Sequence, residues 1–313
     1  MSNFAQLAKE IHKPMKKTFP RRQIITGSVG ELLSADIADM SSDFIDDGFR
    51  YFLIAIDVYS KYIWTVPLKQ KSANEVTQAF KKIFETETLF LPSALWTDQG
   101  KEFTNKEFKK FLQALGIVHF HTFGEGKSVP AERAIRTIKT EIWREFTTYQ
   151  TREWLDILPE VVHNYNHRKH GTTKLTPFEV YTREKFYKPK EKDFKSKAKF
   201  KVGDFVRISR LKQQFEKGFH GNWSYEIFQI RNVLPTNPIT YSLNDFTGDK
   251  IQGNFYEPEL QKTDLIDGPF LIDKVVKKKG DQSLVKWLGW PSHFNSWVSN
   301  SELKDIEKRQ KKK

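Results

Sequence analysis

Three acidic residues stand in contexts that can carry chemistry. Asp98 follows a short apolar run, Ala94-Leu95-Trp96, and precedes a tight turn at Gln99-Gly100, with Phe103 placed to fold back onto a core. Asp36 sits on the alternating apolar run ELLSADIADM. Glu132 falls in the first turn of a helix within GKSVPAERAIRTIKTEIW. Two aspartates delivered from strands and one glutamate delivered from a helix can converge on a pair of divalent metal ions. Two further acids compete for attention. Asp57 ends an apolar run, where a structural hydrogen bond is the expected role. Asp39 lies an odd number of residues beyond Asp36, so it belongs to the opposite strand face.

The elements that must position these acids are legible from periodicity. Residues 31–122 read β-β-β-α-β-α-β. ELLSADIADM, RYFLIAIDV and KYIWTVPL are three strands, with SKY as the turn between the last two. Ser72 caps a helix that runs to about Glu87, with Val76, Ala79, Phe80 and Ile83 on one face. LPSALWT is the fourth strand, NKEFKKFLQALG a helix ended by Gly116, and IVHFHTF the fifth strand. This is an α/β arrangement, a mixed sheet covered by helices. After the glycine-punctuated loop FGEGKSV, Pro130 suits the first position of a helix. Ile135, Ile138, Ile142 and Phe146 mark its buried face, while Glu132, Arg136, Lys139 and Trp143 share a neighbouring stripe. That stripe is either an ordinary basic surface, with Glu132 set against the helix dipole, or a carboxylate beside cations that hold phosphates. Lys127 lies close enough to join the second arrangement. Residues 151–183 form a further helix and its exit, with Thr176-Pro177 starting a short final helix. His163, His167 and His170 recur at i, i+4 and i+7, yet without cysteine or an acid at motif spacing a zinc site is not expected there.

The totals narrow the class. The chain has 313 residues, enough for two or three domains, and its 26 Phe and 8 Trp can build sizeable cores. A formal charge of +13 points to a polyanionic partner, most simply nucleic acid, although basic tails on a soluble protein give the same total. The absence of cysteine excludes disulfides, cysteine zinc sites and thiol nucleophiles. No apolar run approaches a membrane span, so no membrane partner is expected.

The segments divide as follows. Residues 1–30 are a basic lead-in in which Phe4, Leu7, Ile11 and Met15 follow helical spacing, and KKTFPRR is either a phosphate contact or a solvated linker. Residues 31–183 hold the acids. A charged linker, 184–199, leads to short alternating strands with glycine turns over 200–262, which read as a small barrel. Lys201, Arg207 and Arg210, with Lys212 and Lys217, are interleaved there with Phe205, Phe215 and Trp223, a mixture that suits nucleic acid; a protein-contact barrel is the alternative. Residues 267–306 form a last small module. The tail 307–313 suits nuclear import or phosphate binding, and a nuclear location is expected.

The order and spacing of the acids, with Asp98 and Glu132 34 positions apart, resemble the catalytic core of retroviral-type integrases and related transposases. The words DIADM, IDVYSKYIW, TDQGKEF, GKSVPAERAIRTIK and YNHRKHGTTKLTPFEV carry that resemblance, which covers roughly residues 20–305. They look most like integrases of Maverick/Polinton DNA transposons, and next like gypsy-type retrotransposon integrases with a C-terminal chromodomain. The resemblance implies a ribonuclease-H-like core, an SH3-like DNA-binding barrel and a chromodomain of three strands plus a helix. It implies two Mg²⁺ (or Mn²⁺) ions about 4 Å apart, with Asp36 bridging both, Asp98 binding one and Glu132 the other. Water would process the 3′ end of the element, and the freed 3′-hydroxyl would attack a target phosphodiester. Transposon-end DNA, target DNA and further copies of the chain are the implied partners, with histone tails or nucleosomes as partners of the chromodomain. Integrases of this kind often carry a zinc module of two His and two Cys, which cannot form without cysteine. Phe270, Trp287 and Trp290 fall at the family's methyl-lysine cage positions, where aromatic faces attract a quaternary ammonium. Phe294 stands where lysine readers usually place an acid, so weak binding with a trimethyl preference is expected. A domesticated chain that only binds DNA and chromatin, and a metal-dependent ribonuclease H, are the competing readings.

Overall fold

Helix α1 (Asn3–Ile11) opens the chain and packs in the unit described second. The alternating run that carries Asp36 becomes β1 (Leu32–Asp39), which pairs antiparallel with β2 (Tyr51–Asp57); β2 pairs in turn with β3 (Ile63–Leu68). The computed structural model describes residues 3–16, 18–41, 46–121, 129–191, 197–210, 221–303 and 306. By its contacts the chain forms two units, Gln23–Lys192 and Met1–Arg22 with Asp193–Lys313.

In the first unit β4 (Ala94–Thr97) joins β1 in parallel, and β5 (Val118–His121) joins β4 in parallel. The resulting order, β3-β2-β1-β4-β5, is the expected ribonuclease-H-like mixed sheet. The near-continuous apolar character of β2 follows from its central place, since a strand covered on both faces alternates little. Helix α2 (Ala73–Lys82) starts where Ser72 accepts a hydrogen bond from the amide of Glu75, and a π-turn, Ile83–Glu87, carries the chain on to Glu87. A short helix, α3 (Lys101–Thr104), follows the Gly100 turn and precedes α4 (Lys106–Ala114), which Asn105 caps. Gly116, at φ +70°, ends that segment in a backbone region that suits glycine.

The sheet has two cores. Leu33, Ala35 and Ile37 face α2 and α4, where Val76, Phe80, Phe108 and Leu112 are buried. The alternate residues of β1 and β2, among them Ala38, Phe52 and Ile54, face α5 (Val129–Tyr149) and α6 (Trp154–His167). Each fully buried side chain of this size contributes about 1.5–3 kcal/mol of transfer free energy. Ala131, Ala134, Ile138, Ile142 and Phe146 form the buried stripe of α5, whereas Ile135 is only half-buried. Asn166 of α6 pins the backbone of β3, donating to the Ile63 carbonyl and accepting from its amide, both at 3.0 Å. Helix α7 (Pro177–Tyr181) begins in a capping box between Thr176 and Glu179.

In the second unit a five-stranded antiparallel sheet has the order β10-β6-β7-β8-β9, with β6 (Phe205–Ile208), β7 (Phe228–Leu234), β8 (Thr240–Asn244), β9 (Phe255–Tyr256) and β10 (Leu260–Lys262). Val206, Ile230, Tyr241 and Leu243 fill its core. The lead-in is part of this unit. Leu7 and Ile11 of α1 pack with Leu265, and the Ile11 carbonyl accepts from the amide of Asn222 at 2.8 Å. A Cβ on Gly221 would lie 2.3 Å from the Ile11 side chain, so that approach requires glycine. The helix stops at Ile11, one turn short of Met15, and the Lys13 carbonyl beyond it accepts from the indole of Trp223 at 2.8 Å. A second sheet, β11 (Ile272–Lys279), β12 (Gln282–Trp287) and β13 (Ser296–Ser299), is followed by a helical turn from residue 300. Among the described residues no helix is long and apolar enough to cross a membrane.

Candidate active site

The parallel register of β1 and β4 brings two of the three acids to one level. Leu33 pairs with Leu95 and Ser34 with Trp96, and Asp36 and Asp98 each lie two residues farther along. The face is set by alternation. Ser34 accepts a hydrogen bond from the Ala131 amide at 3.3 Å, and Ala38 packs against Ala131 and Ala134. Asp36, between them in the same parity, therefore faces α5. Glu132 is the residue after Ala131, in the first turn of that helix. The β1–β4 register thus sets Asp36 and Asp98 level, and Glu132 lies in the first turn of the helix that Ser34 of β1 contacts.

Both aspartates are steadied by their own backbone. Oδ1 of Asp36 accepts from the Ile37 amide at 2.8 Å, and Oδ1 of Asp98 accepts from the Gly100 amide at 2.9 Å. Among the described residues no three His, Asp or Glu side chains are gathered closely enough to hold a metal ion. An all-carboxylate, all-oxygen donor set has the chemistry that suits Mg²⁺ or Mn²⁺.

The competing acids have other work. Asp57 is 1% exposed and accepts from the Gly30 amide at 2.9 Å and from the Ser60 amide and hydroxyl at 2.7 and 2.6 Å. It is the structural acid that its position predicts; burial pushes its carboxyl up against those hydrogen bonds. Asp39 is exposed and bonds Ser41 and Lys71.

Residues not singled out by spacing adjoin Asp98. Thr97, His119 and His121 meet at the exits of β4 and β5, where Thr97 pairs with His121. Burial pushes His119 down to about 4, and the neighbouring His121 and Lys109 add to the shift. The signal for this cluster is in the chain: HFH alternates on a strand, so both imidazoles share a face.

Arg136, Lys139 and Trp143 line an open groove of about 890 Å³ along α5, with Thr140 and Arg144 beside them. Lys139 donates to the Asp39 carbonyl at 2.8 Å and lies 5.2 Å from the centre of the Trp143 ring. Its ammonium is thus already held at the edge of the acid-bearing face.

Of the other basic residues expected to meet DNA, Lys201 and Arg210 are exposed. Lys127, with Lys212, Lys217 and the tail 307–313, lies outside the described residues. Arg207 is a correction. It is 2% exposed, its Nε donates to Glu10 at 3.0 Å, and its Nη1 donates to the carbonyls of Ser224 and Tyr225. A guanidinium with these partners is an internal strut that ties α1 to β6, not a surface cation.

The three aromatics expected to form a cage meet edge to face. Phe270 lies 5.9 Å from Trp287 and 5.5 Å from Trp290, centroid to centroid. Trp290 is 8% exposed and takes ring edges from Phe246 and Phe294 as well. The histidine trio separates: His163 and His167 stack at 4.1 Å and His167 stacks on Phe178, while His170 accepts from the Thr172 amide.

The fold of the first unit is that of an integrase core. The integrase core domain family matches residues 28–123, and the chromo (chromatin organisation modifier) domain family matches residues 270–313. A transposon-derived protein of Caenorhabditis elegans is 34% identical over 197 residues, which span 63% of this chain and 67% of the relative. The Pol polyprotein of radiation murine leukemia virus is 29% identical over 138 residues, 42% of this chain but only 23% of the polyprotein. In fold, the chain is similar to one in the cryo-electron microscopy structure of the simian T-cell lymphotropic virus intasome in complex with PP2A regulatory subunit B56 gamma. That match has a TM-score of 0.58 and 15% identity and covers 79% of this chain and 85% of the other. The chain belongs to the family of that transposon-derived relative, whose core here is an integrase core domain. It carries that family's core together with a C-terminal chromodomain, and it has a transposon-derived relative.

Proposed function

We propose that this protein is the integrase of a DNA transposon of the Maverick/Polinton type, joining element ends to host DNA in the nucleus. The observation that supports the reading is the register that sets Asp36 level with Asp98, together with Glu132 in the first turn of α5, next to the Ala131 amide that donates to Ser34 of β1. These three carboxylates would hold Mg²⁺ or Mn²⁺, which when bound supplies Lewis acidity to the attacking and leaving oxygens of a phosphodiester. The chain's own part is positioning. Asp36 and Asp98 are fixed by hydrogen bonds to their neighbours' amides, so little reorganisation is required of them. Arg136 and Lys139 lie along the α5 groove, where cations hold phosphates without reading bases. Exposed Lys201 and Arg210 offer further phosphate contacts.

In the first transfer a water oxygen bonds to phosphorus near the element's 3′ end, and the bond to the departing nucleotide breaks to leave a 3′-hydroxyl. In the second, that hydroxyl oxygen bonds to a target phosphorus, and the displaced target strand leaves with its own 3′-hydroxyl. Serving two element ends and one target together calls for several copies of the chain. The chromodomain would bring the assembly to histone tails or nucleosomes. The test is strand transfer by the full chain on paired element-end duplexes with Mg²⁺. Product that depends on Asp98 supports the reading, and DNA binding without product would leave a chromatin-binding protein instead.

A further inference from the structure

The backbone of Asp98 is held by side chains at the ends of β4 and β5. Its carbonyl accepts two hydrogen bonds, from the Thr97 hydroxyl at 2.9 Å and from Nδ1 of His121 at 2.8 Å. A carbonyl only accepts, so Nδ1 of His121 carries a proton. The Thr97 hydroxyl has one proton and directs it to Asp98. Its contact with Nε2 of His119 at 3.0 Å must then be donated by the imidazole. This leaves Nδ1 of His119 as a bare ring nitrogen, and that atom is indeed buried without a hydrogen-bond partner. His121 Nδ1 also lies 3.1 Å from the Thr97 oxygen, so its proton is shared between hydroxyl and carbonyl. The two rings meet edge to face, with centroids 4.3 Å apart, and Phe108 lies edge-on to His119. The relay therefore has one direction: His119 to Thr97, then Thr97 and His121 together to the Asp98 carbonyl.

We infer that His121 and Thr97 are positioning residues that set the peptide plane from which the Asp98 carboxylate projects. At the other end of the same residue, the carboxylate accepts from the Gly100 amide. With both ends held, the side chain has one direction to point. The inference rests on Asp98 being a metal ligand of the proposed integrase. It adds that an imidazole and a hydroxyl which never touch the metal or the DNA decide how well that ligand binds.

The test uses the full chain and two readouts: strand-transfer kinetics on paired element ends, and Mn²⁺ binding followed by loss of the free-ion electron paramagnetic resonance signal. Removing a group that orients a metal ligand typically costs about 10–100-fold in metal affinity or activity. His121→Ala should therefore lower kcat and Mn²⁺ affinity by roughly that factor, with KM for element-end DNA unchanged. His121→Asn places an amide donor near the position of Nδ1 and should restore most of both; His121→Gln, whose amide reaches the position of Nε2, should not. Thr97→Val should behave like His121→Ala, and Thr97→Ser like the unaltered chain. Equal behaviour of the Asn and Gln variants, or a change in KM alone, overturns the inference. If His121→Ala does not fold, the Asn and Gln pair still decides. Asp98→Asn separates the two readings. If it is inactive while His121→Ala is unaffected, positioning is wrong and the integrase reading stands. If Asp98→Asn remains active, the integrase site itself is wrong and the positioning role is lost with it.

Discussion

The acid-bearing end of the core sheet and the aromatic corner of the C-terminal sheet present opposite solutions to the same task. Both collect chemically suggestive residues from separate segments. At the sheet end, the β1–β4 register sets Asp36 and Asp98 level, and each carboxylate accepts from a nearby backbone amide. At the corner, Phe270, Trp287 and Trp290 meet as expected, yet Phe246 and Phe294 complete the contacts and Trp290 is buried. Apolar rings gain by excluding water wherever they can, so aromatics at the right spacing close into a core unless something holds them apart. Carboxylates do the reverse: they repel one another and stay solvated or hydrogen-bonded until a cation gathers them.

The contrast can be broken at its strongest point first. Asp98→Asn should reduce strand transfer by about a thousandfold or more, because one ligand to the proposed ions is lost, while DNA binding persists through the Lys and Arg contacts. Near-normal Mg²⁺-dependent product would sink the assignment. Next in size is the buried pair in the other unit. Glu10→Ala should destabilise the fold of that unit by about 3–5 kcal/mol, since it strands the Arg207 guanidinium inside. Arg207→Met should cost less, and comparing their denaturant midpoints checks the order. Equal, negligible effects would return Arg207 to the surface.

The closed corner predicts weak recognition. Trimethyl-lysine histone-tail peptides titrated into the full chain should bind no tighter than about 1 mM, near −4 kcal/mol. Tight binding abolished by Trp287→Ala would show that the rings open. On α5, replacing Arg136 and Lys139 together with Ala should flatten the log–log salt dependence of DNA binding by about one to two units. An unchanged slope would place the phosphates elsewhere.

The smallest effects concern pH and have opposite signs in the two units. Burial pushes His170 down to about 4, with Lys61 and Arg168 adding to it. Its folded value lies below the ordinary 6.5, so the stability it contributes is present at neutral pH and is lost as pH falls through about 4. In the other unit burial pushes Glu226 up to about 7, and Asp245 adds to the shift. Its contribution is full below the ordinary 4.5 and is lost as pH rises through about 7. Titrating each group by nuclear magnetic resonance, with His170→Asn and Glu226→Gln as references, checks both directions.

Much of this was legible in the chain because it depends on local repeats. Alternation in ELLSADIADM separates Asp36 from Asp39, and the five strands and the helices between them follow from runs, caps and glycine stops. Asp57 reads correctly as structural, since an acid at the end of a doubly covered strand meets the amides and hydroxyl of the turns beside it. Other features leave no local trace. Arg207 looks like any basic residue on a small barrel until Glu10, 197 positions away, supplies its counter-charge. The lead-in looks like a linker until Gly221 makes room for Ile11. The imidazole beneath Asp98 comes from a different strand, 23 positions on. Periodicity tells a side chain which way to point from its own backbone. Only the packed chain decides what is waiting there, and for a buried charge, an aromatic ring or an anchored carbonyl, that neighbour determines the role.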